Sequence, residues 1–152
     1  YRPADIAYAY LAAGNNEMTM ERLSKTVLIV DDDSNNIFAL SATLRARKIP
    51  VMSAGSAEEA MYLLQSEPTI GIVLSDMMMP GTDGYDFIRM IREVDYLDHI
   101  PVIAVTAQAM PGDREKCLAS GAADYISKPV DVDKLMALLH QYKIAGSETA
   151  GK

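Results

Sequence analysis

The chain has 152 residues, of which 49% are hydrophobic, and a formal net charge of −7. That length suits one domain with a tail or two, and the apolar fraction is ample for a buried core. The negative charge argues against nucleic acid or an anionic membrane as a direct partner. No apolar run approaches the roughly 18–20 residues that span a bilayer, so we expect no membrane contact by this chain.

The first 24 residues differ in pattern from the remainder of the chain. Residues 5–13 are a candidate short helix that would end at Gly14-Asn15-Asn16. We interpret residues 1–24 as a linker or the edge of a neighbouring domain, in preference to a part of the core. The chain begins with tyrosine, which favours a fragment or a processed product.

Between residues 25 and 143, short apolar runs alternate five times with amphipathic helical patterns. Both faces of each run are apolar, as in a parallel sheet covered by helices on each side. Five such units joined by right-handed crossovers predict a doubly wound α/β fold. The predicted strands are Val27–Val30, Val51–Ser53, Gly71–Leu74, Val102–Val105 and Asp124–Ile126.

Several residues mark where the helices begin and end. Ser56 with Glu59 three residues later predicts a capping box, and Asp33 and Asp131 are candidate N-caps. Gly121 is positioned to end the fourth helix. After the last helix, residues 145–152 are small and polar, and we predict a disordered tail over residues 144–152.

Acidic residues follow two of the predicted strands. Asp31, Asp32 and Asp33 come directly after the first strand, and Asp76 follows the third. The alternative interpretation is a solvated loop that caps the next helix, with Asp76 as a turn residue. Crowded carboxylates need a compensating cation, and Mg²⁺ prefers carboxylate oxygens. We therefore predict a divalent cation at Asp31 and Asp32, with Asp76 as nucleophile or ligand.

A hydroxyl and an amine end the last two strands. Thr106 could donate to a phosphoryl oxygen or cap the following loop. Lys128 is expected to face the acids, in a salt bridge or a phosphoryl contact, although an exposed lysine is the alternative. Pro129 is a candidate for a cis peptide bond that aims Lys128 inward.

The chain has one cysteine, Cys117, so an intrachain disulfide is excluded. A single cysteine fits a protein of the reducing cytosol. We expect Cys117 to pack in a helix.

Together these residues resemble the receiver domain of two-component signalling, over about residues 25–143. The segment from Ala109 to Lys128 is most similar to receivers of hybrid histidine kinases. The resemblance implies a flavodoxin-like five-stranded parallel sheet of order 2-1-3-4-5. It rests on four motifs in order: Val30-Asp31-Asp32, Asp76-x-x-Met79-Pro80-x-x-Asp83-Gly84, Val105-Thr106-Ala107 and Tyr125-x-x-Lys128-Pro129.

The resemblance also implies a role for each site residue. Asp76 would be the phosphoacceptor, and Thr106 and Lys128 would bind the phosphoryl group. Thr106 and Tyr125 would form the conformational switch, although Tyr125 could instead be a static half-buried strand residue. The implied Mg²⁺ ligands are Asp32, Asp76 and the backbone carbonyl of Met78, with Asp31 holding a metal-bound water.

The implied function is Mg²⁺-dependent phosphoryl transfer to Asp76 from a phosphohistidine, which switches a protein-docking surface. The partner would be a histidine kinase or a histidine phosphotransfer protein, and the chain would catalyse its own phosphorylation and dephosphorylation without turning over a substrate. We expect a cytoplasmic location, including the cytoplasmic part of a membrane-bound sensor. A homodimer through the fourth helix, fifth strand and fifth helix is a further expectation.

The chain departs from the family pattern at two positions. The family often has glycine where this chain has Lys48 and Ala57.

Other functions are weighed against this one. A phosphorylation-independent docking module on the same fold would lose one or more of the acids, the threonine or the lysine. An aspartyl phosphohydrolase would want an acid where Met78 stands, two residues after Asp76, and a substrate cap. A flavin or nucleotide carrier would need a loop rich in Gly or Ser after the first strand.

Overall fold

A single parallel sheet organises the part of the chain that the computed structural model describes, residues 25–79, 81–107, 111–142 and 144. The strands lie in the order β2-β1-β3-β4-β5, and every neighbouring pair is parallel. The predicted doubly wound α/β fold and strand order are confirmed. The strands are β1 (Thr26–Val30), β2 (Val51–Ala54), β3 (Ile70–Asp76), β4 (Val102–Thr106) and β5 (Asp124–Ser127). The helices are α1 (Ser34–Ala46), α2 (Ala57–Ser66), α3 (Gly84–Arg92), α4 (Asp113–Ala119) and α5 (Val132–Gln141), with a 3-10 turn at Asp95–Leu97.

Helices cover both faces of the sheet. Leu28 and Val30 of β1 pack in the same buried cluster as residues of α2, α3 and α4. The alternate residues, Val27 and Ile29, pack with residues of α1 and α5 on the other face. Because successive side chains of a strand point to opposite faces, this double cover explains why the strands are apolar throughout.

The helix termini follow the sequence signals with one difference. Asp33 and Asp131 cap α1 and α5 through their carboxylates, and Ser56 Oγ accepts the N–H of Glu59 at the start of α2. The reciprocal bond of the capping box differs, because the Glu59 carboxylate accepts the N–H of Gly55 and not that of Ser56. A glutamate side chain is long enough to reach an N–H just outside the helix.

Lys48 occupies a conformation that favours glycine. Its φ of 62° makes it the one non-glycine residue with positive φ among those the structure describes. The turn is fixed by hydrogen bonds from Lys48 N–H to Arg45 O and from Ile49 N–H to Leu44 O. The left-handed region costs a residue with a Cβ atom about 1–2 kcal/mol, so the departure noted at Lys48 carries local strain.

The C-terminal boundary needs a correction of one residue. Ile144 is 6% exposed, and its N–H donates to Leu139 O. The packed domain therefore includes residue 144, which the sequence analysis assigned to the tail, because its side chain joins the cluster beneath α5. The rest of the predicted tail and the predicted helix over residues 5–13 lie outside the described residues.

Within the described ranges, no helix is long and apolar enough to cross a bilayer.

Candidate functional site

The predicted site residues meet at the carboxyl edge of the sheet. Asp76 is the last residue of β3 and lies opposite Val105 of β4 in the register, and Thr106 ends β4 opposite Ser127. Asp31 directly follows β1, which is the other neighbour of β3. Parallel strands bring their carboxyl ends to one edge, so residues far apart in sequence become neighbours here.

Three carboxylates form a tight cluster at this edge. Asp31, Asp32 and Asp76 each offer one oxygen, and these atoms lie within 4.8 Å of one another. Asp31 and Asp76 are 6% and 5% exposed, whereas Asp32 is exposed. Asp33, the fourth acid of the sequence analysis, instead caps α1.

Lys128 lies between the two buried acids. Its Nζ is 3.6 Å from Asp31 Oδ2 and 3.5 Å from Asp76 Oδ1. Its backbone N–H donates to Thr106 O at 2.7 Å, which ties the end of β5 to the end of β4. The peptide bond between Lys128 and Pro129 is cis, as the sequence suggested. In the structure Lys128 thus faces the two acids.

The two oxygens of Asp76 have different surroundings. Oδ1 accepts the N–H of Met78 at 3.2 Å and is the oxygen nearest Lys128, whose Nζ lies 3.5 Å away. Both contacts are made to Oδ1, and Oδ2 is the other oxygen of the carboxylate. Oδ2 is therefore the oxygen that these contacts leave for an electrophile.

Burial raises the pKa of Asp76, and the negative charge of Asp31 raises it further. The Met78 N–H and Lys128 act in the opposite direction by stabilising the ionised form. Burial is the largest cause of the upward direction, so the ionised form of Asp76 is held where its charge is disfavoured. A cation beside the carboxylate would favour the ionised form.

The donor set fits Mg²⁺. Carboxylate oxygens of the three acids are hard ligands, and Mg²⁺ usually takes few protein ligands and keeps several waters. Lys128 lies farther from both acids than a short charge-assisted hydrogen bond of roughly 2.7–2.9 Å, so it leaves carboxylate lone pairs available. The Met78 side chain is 73% exposed, and its backbone carbonyl stays a predicted ligand.

Thr106 and Tyr125 lie on neighbouring strands. Thr106 is buried at the end of β4, and Tyr125 is half-buried on β5 against the cluster that contains α4. Burial raises the pKa of Tyr125, as do the nearby Asp113 and Cys117 of α4. Tyr125 thus lies near Asp113 and Cys117 of α4, and whether the ring moves stays a prediction.

Two further residues shape the site, and the sequence analysis did not assign them a role. A Cβ atom at Gly84 would lie 2.6 Å from Met77 Cα and 2.8 Å from Asp76 O, so glycine allows α3 to approach the backbone beside Asp76. Asn36 Nδ2 donates to Asp31 Oδ2 at 3.3 Å. A glycine at the first position of a helix was an available signal, whereas the Asn36 contact depends on the turn after β1.

Comparison with known proteins gives consistent results. The family model described as response regulator receiver domain matches residues 27–140. The histidine-protein kinase BarA of Escherichia coli K12 is 35% identical over 122 residues, which are 80% of this chain but 13% of BarA. A response regulator receiver protein from Pseudomonas putida has a TM-score of 0.71 at 33% identity, covering 76% of this chain and 95% of that chain. The complex of the phosphotransfer protein Ypd1 with the Ssk1 receiver domain from Saccharomyces cerevisiae matches with a TM-score of 0.72 at 26% identity, covering 78% and 88%.

Proposed function

This chain belongs to the response regulator receiver domain family of two-component signalling, and from that premise we propose that it accepts a phosphoryl group on Asp76 from a phosphohistidine in a Mg²⁺-dependent transfer. The observation that carries the proposal is the convergence of three carboxylates within 4.8 Å, with Lys128 between two of them. Cation and phosphoryl group would share this one pocket.

The second oxygen of Asp76 is the proposed nucleophile. Oδ2 attacks phosphorus as the bond to the histidine nitrogen breaks, and that nitrogen keeps the electron pair and takes up a proton. The product is an aspartyl phosphate, which water later hydrolyses. Thr106 and Lys128 hold phosphoryl oxygens, and positioning and electrostatics dominate the catalysis. When bound at Asp31, Asp32, Asp76 and the Met78 carbonyl, Mg²⁺ neutralises charge that gathers on the phosphoryl oxygens.

The phosphoryl charge is proposed to bias a two-state switch. Thr106 moves toward the new group, and Tyr125 fills the vacated space, which changes the surface of α4, β5 and α5. That surface is the proposed output, and a homodimer contact through it is part of the proposal. A ligand shifts such an equilibrium only by its differential affinity for the two states, so Thr106 must contact the phosphoryl group more strongly in one of them.

A groove beside the site is the proposed docking place of the phosphodonor. It is lined by Asp31, Asn36, Ala39, Leu40, Thr43, Val105, Lys128, Pro129, Val130 and Val132. Phe38 does not line the groove, but it is 75% exposed on α1, the helix that supplies part of the lining, and exposed aromatic residues are frequent anchors of interfaces. The similar Ssk1 receiver domain forms a complex with Ypd1, which supports a histidine phosphotransfer protein as partner.

The match to BarA supports a second proposal about context. The chain matches 13% of the length of BarA. The part of this chain that matches the receiver domain family is residues 27–140. We propose that this chain is a receiver of a hybrid histidine kinase, whose upstream domains would supply the phosphohistidine directly or through a phosphotransfer protein.

The proposed acceptor is tested by labelling with acetyl phosphate or phosphoramidate in the presence of Mg²⁺. Wild type should incorporate phosphate, and Asp76→Asn should incorporate none. Asp33→Asn is the matched control, because asparagine keeps the N-cap of α1 while it removes a neighbouring charge, and it should label normally. Normal labelling of Asp76→Asn would end the assignment.

The docking groove is tested by comparing phosphoryl transfer from a protein donor with labelling by a small-molecule donor, which needs no docking surface. Phe38→Ser should slow transfer from a phosphorylated histidine phosphotransfer protein about tenfold, the loss typical of an interface anchor, and leave labelling by acetyl phosphate unchanged. Tyr62→Ser is the control, because Tyr62 is 70% exposed on α2, away from the groove. Equal effects of the two substitutions would contradict the proposed docking place.

A further inference from the structure

The Asp31 carboxylate has two hydrogen-bond donors in addition to its ion pair with Lys128. Its Oδ1 accepts the N–H of Asp33 at 2.9 Å. Its Oδ2 accepts Asn36 Nδ2 at 3.3 Å and lies 3.6 Å from Lys128 Nζ. A neutral amide and an ammonium thus approach the same oxygen.

Asp76 shows the same arrangement. Its Oδ1 accepts the N–H of Met78 at 3.2 Å and lies 3.5 Å from Lys128 Nζ. On both acids, therefore, the oxygen nearest Lys128 already has a neutral N–H donor. For Asp76 that donor belongs to the backbone, but for Asp31 it is a side chain, and only this one can be changed by substitution.

We propose that Asn36 is a positioning residue that keeps Asp31 hydrogen-bonded and oriented when the ammonium of Lys128 moves to a phosphoryl group on Asp76. The inference rests on the proposed function. Lys128 Nζ lies 3.6 Å from Asp31 Oδ2 and 3.5 Å from Asp76 Oδ1, so its move to a phosphoryl group would break no short charge-assisted bond. Asp31 is 6% exposed, and an oxygen that loses its donor in such a place is costly. Asn36 provides the donor that remains.

The chemistry of an amide suits this role. Asn36 lies in the first turn of α1, whose N-cap is Asp33, and it reaches back five residues to Asp31. A lysine or arginine there would cancel the charge that attracts the cation, and an aspartate would accept hydrogen bonds and not donate them. An amide donates without changing the net charge of the site.

The test compares Asn36→Ala and Asn36→Asp with Asn35→Ala. Asn35 is the preceding exposed residue of the same turn, and its backbone N–H is bonded to Asp33, a bond that alanine keeps. For each variant, calorimetry measures the affinity for Mg²⁺ alone and for beryllium fluoride with Mg²⁺, which mimics the phosphoryl group. The initial rate of labelling by acetyl phosphate is measured at saturating Mg²⁺, and thermal unfolding verifies that each variant folds.

Asn36→Ala should weaken beryllium fluoride binding and slow labelling about threefold to tenfold, the effect of one ordinary hydrogen bond, while affinity for Mg²⁺ alone changes by less than about twofold. Asn36→Asp should bind Mg²⁺ more tightly, because it adds a carboxylate, and still bind beryllium fluoride more weakly. Asn35→Ala should match wild type in every measurement.

Three results would overturn the role of Asn36. The first is unchanged beryllium fluoride binding by Asn36→Ala. The second is an equal loss of affinity for Mg²⁺ alone, which would make Asn36 a support of the cation site and not of the phosphorylated state. The third is an equal loss in Asn35→Ala. A wild-type chain that neither binds beryllium fluoride nor takes up phosphate would contradict the proposed function itself.

Discussion

The two ends of the sheet use charge in opposite ways. At the carboxyl end, three carboxylates lie within 4.8 Å and share Lys128, which is 3.5–3.6 Å from two of them. At the amino end, the Arg92 guanidinium donates four hydrogen bonds of 3.0–3.3 Å to the carbonyls of Asp98, Ile100 and Gly121. The carboxyl end keeps a surplus of negative side chains, whereas at the amino end a single guanidinium bonds three backbone carbonyls.

This difference separates what holds the domain together from what it does. Arg92 joins the end of α3, the segment before β4 and the turn after α4, and its bonding partners are all carbonyls remote from the site. Substitutions at the amino end should therefore lower stability and leave the chemistry intact. Substitutions of the clustered acids should do the reverse, since a native site that keeps unrelieved charge gives up stability for function.

The largest loss of stability is expected for Arg92→Met. Three carbonyls lose a charged donor, which should lower the free energy of unfolding by about 3 kcal/mol, as measured by urea denaturation. Labelling by acetyl phosphate below the unfolding transition should stay within about twofold. Arg89→Met is the control, because Arg89 is exposed on the same helix and its ion-pair partner, Asp86, is about half exposed. A comparable loss in that variant would show that the Arg92 contacts are not the cause.

Gly84→Ala should lower stability and slow the chemistry together, unlike the substitutions that affect only one of them. The added Cβ would stand 2.6 Å from Met77 Cα, so the backbone beside Asp76 must shift. We expect about 2 kcal/mol of destabilisation and at least a roughly tenfold slower labelling. Labelling at the wild-type rate would mean that α3 can move away without disturbing Asp76.

Asp76→Asn should raise stability in the absence of Mg²⁺, because it removes a charge from a buried position. The folded-state pKa of Asp76 lies above its ordinary value of 3.8, so the wild-type penalty is absent below that value and grows as pH rises through the folded-state pKa. Denaturation from about pH 3 upward should show the two proteins diverging in this direction. Added Mg²⁺ should stabilise wild type more than the variant, and a variant that is less stable at neutral pH would contradict the surplus of charge.

The smallest effect is expected for Lys48→Gly. Glycine adopts the observed φ of 62° without a Cβ penalty, although it also loses more backbone entropy on folding. A net gain of about 0.5 kcal/mol should result, with labelling unchanged. A loss of stability in urea denaturation would show that the Lys48 side chain contributes contacts worth more than the strain.

The fold and the clustered acids could be predicted from the sequence, whereas their supporting contacts could not. Strand ends are marked locally, because Asp31 and Asp76 each follow an apolar run, and parallel topology brings such ends together. The contacts of Asn36, Gly84 and Arg92 depend on how separate elements approach in space. No local pattern specifies that a guanidinium at the end of α3 meets the turn at Gly121.

The most direct test of the shared pocket is to identify the residue that carries the phosphoryl group. Borohydride reduces an acyl phosphate to an alcohol, and peptide mass spectrometry then locates the changed side chain. After incubation of the wild-type chain with acetyl phosphate and Mg²⁺, we predict reduction at Asp76 alone, and none when Mg²⁺ is removed by chelation. Reduction at Asp31, Asp32 or another acid, or at Asp76 without Mg²⁺, would contradict this account.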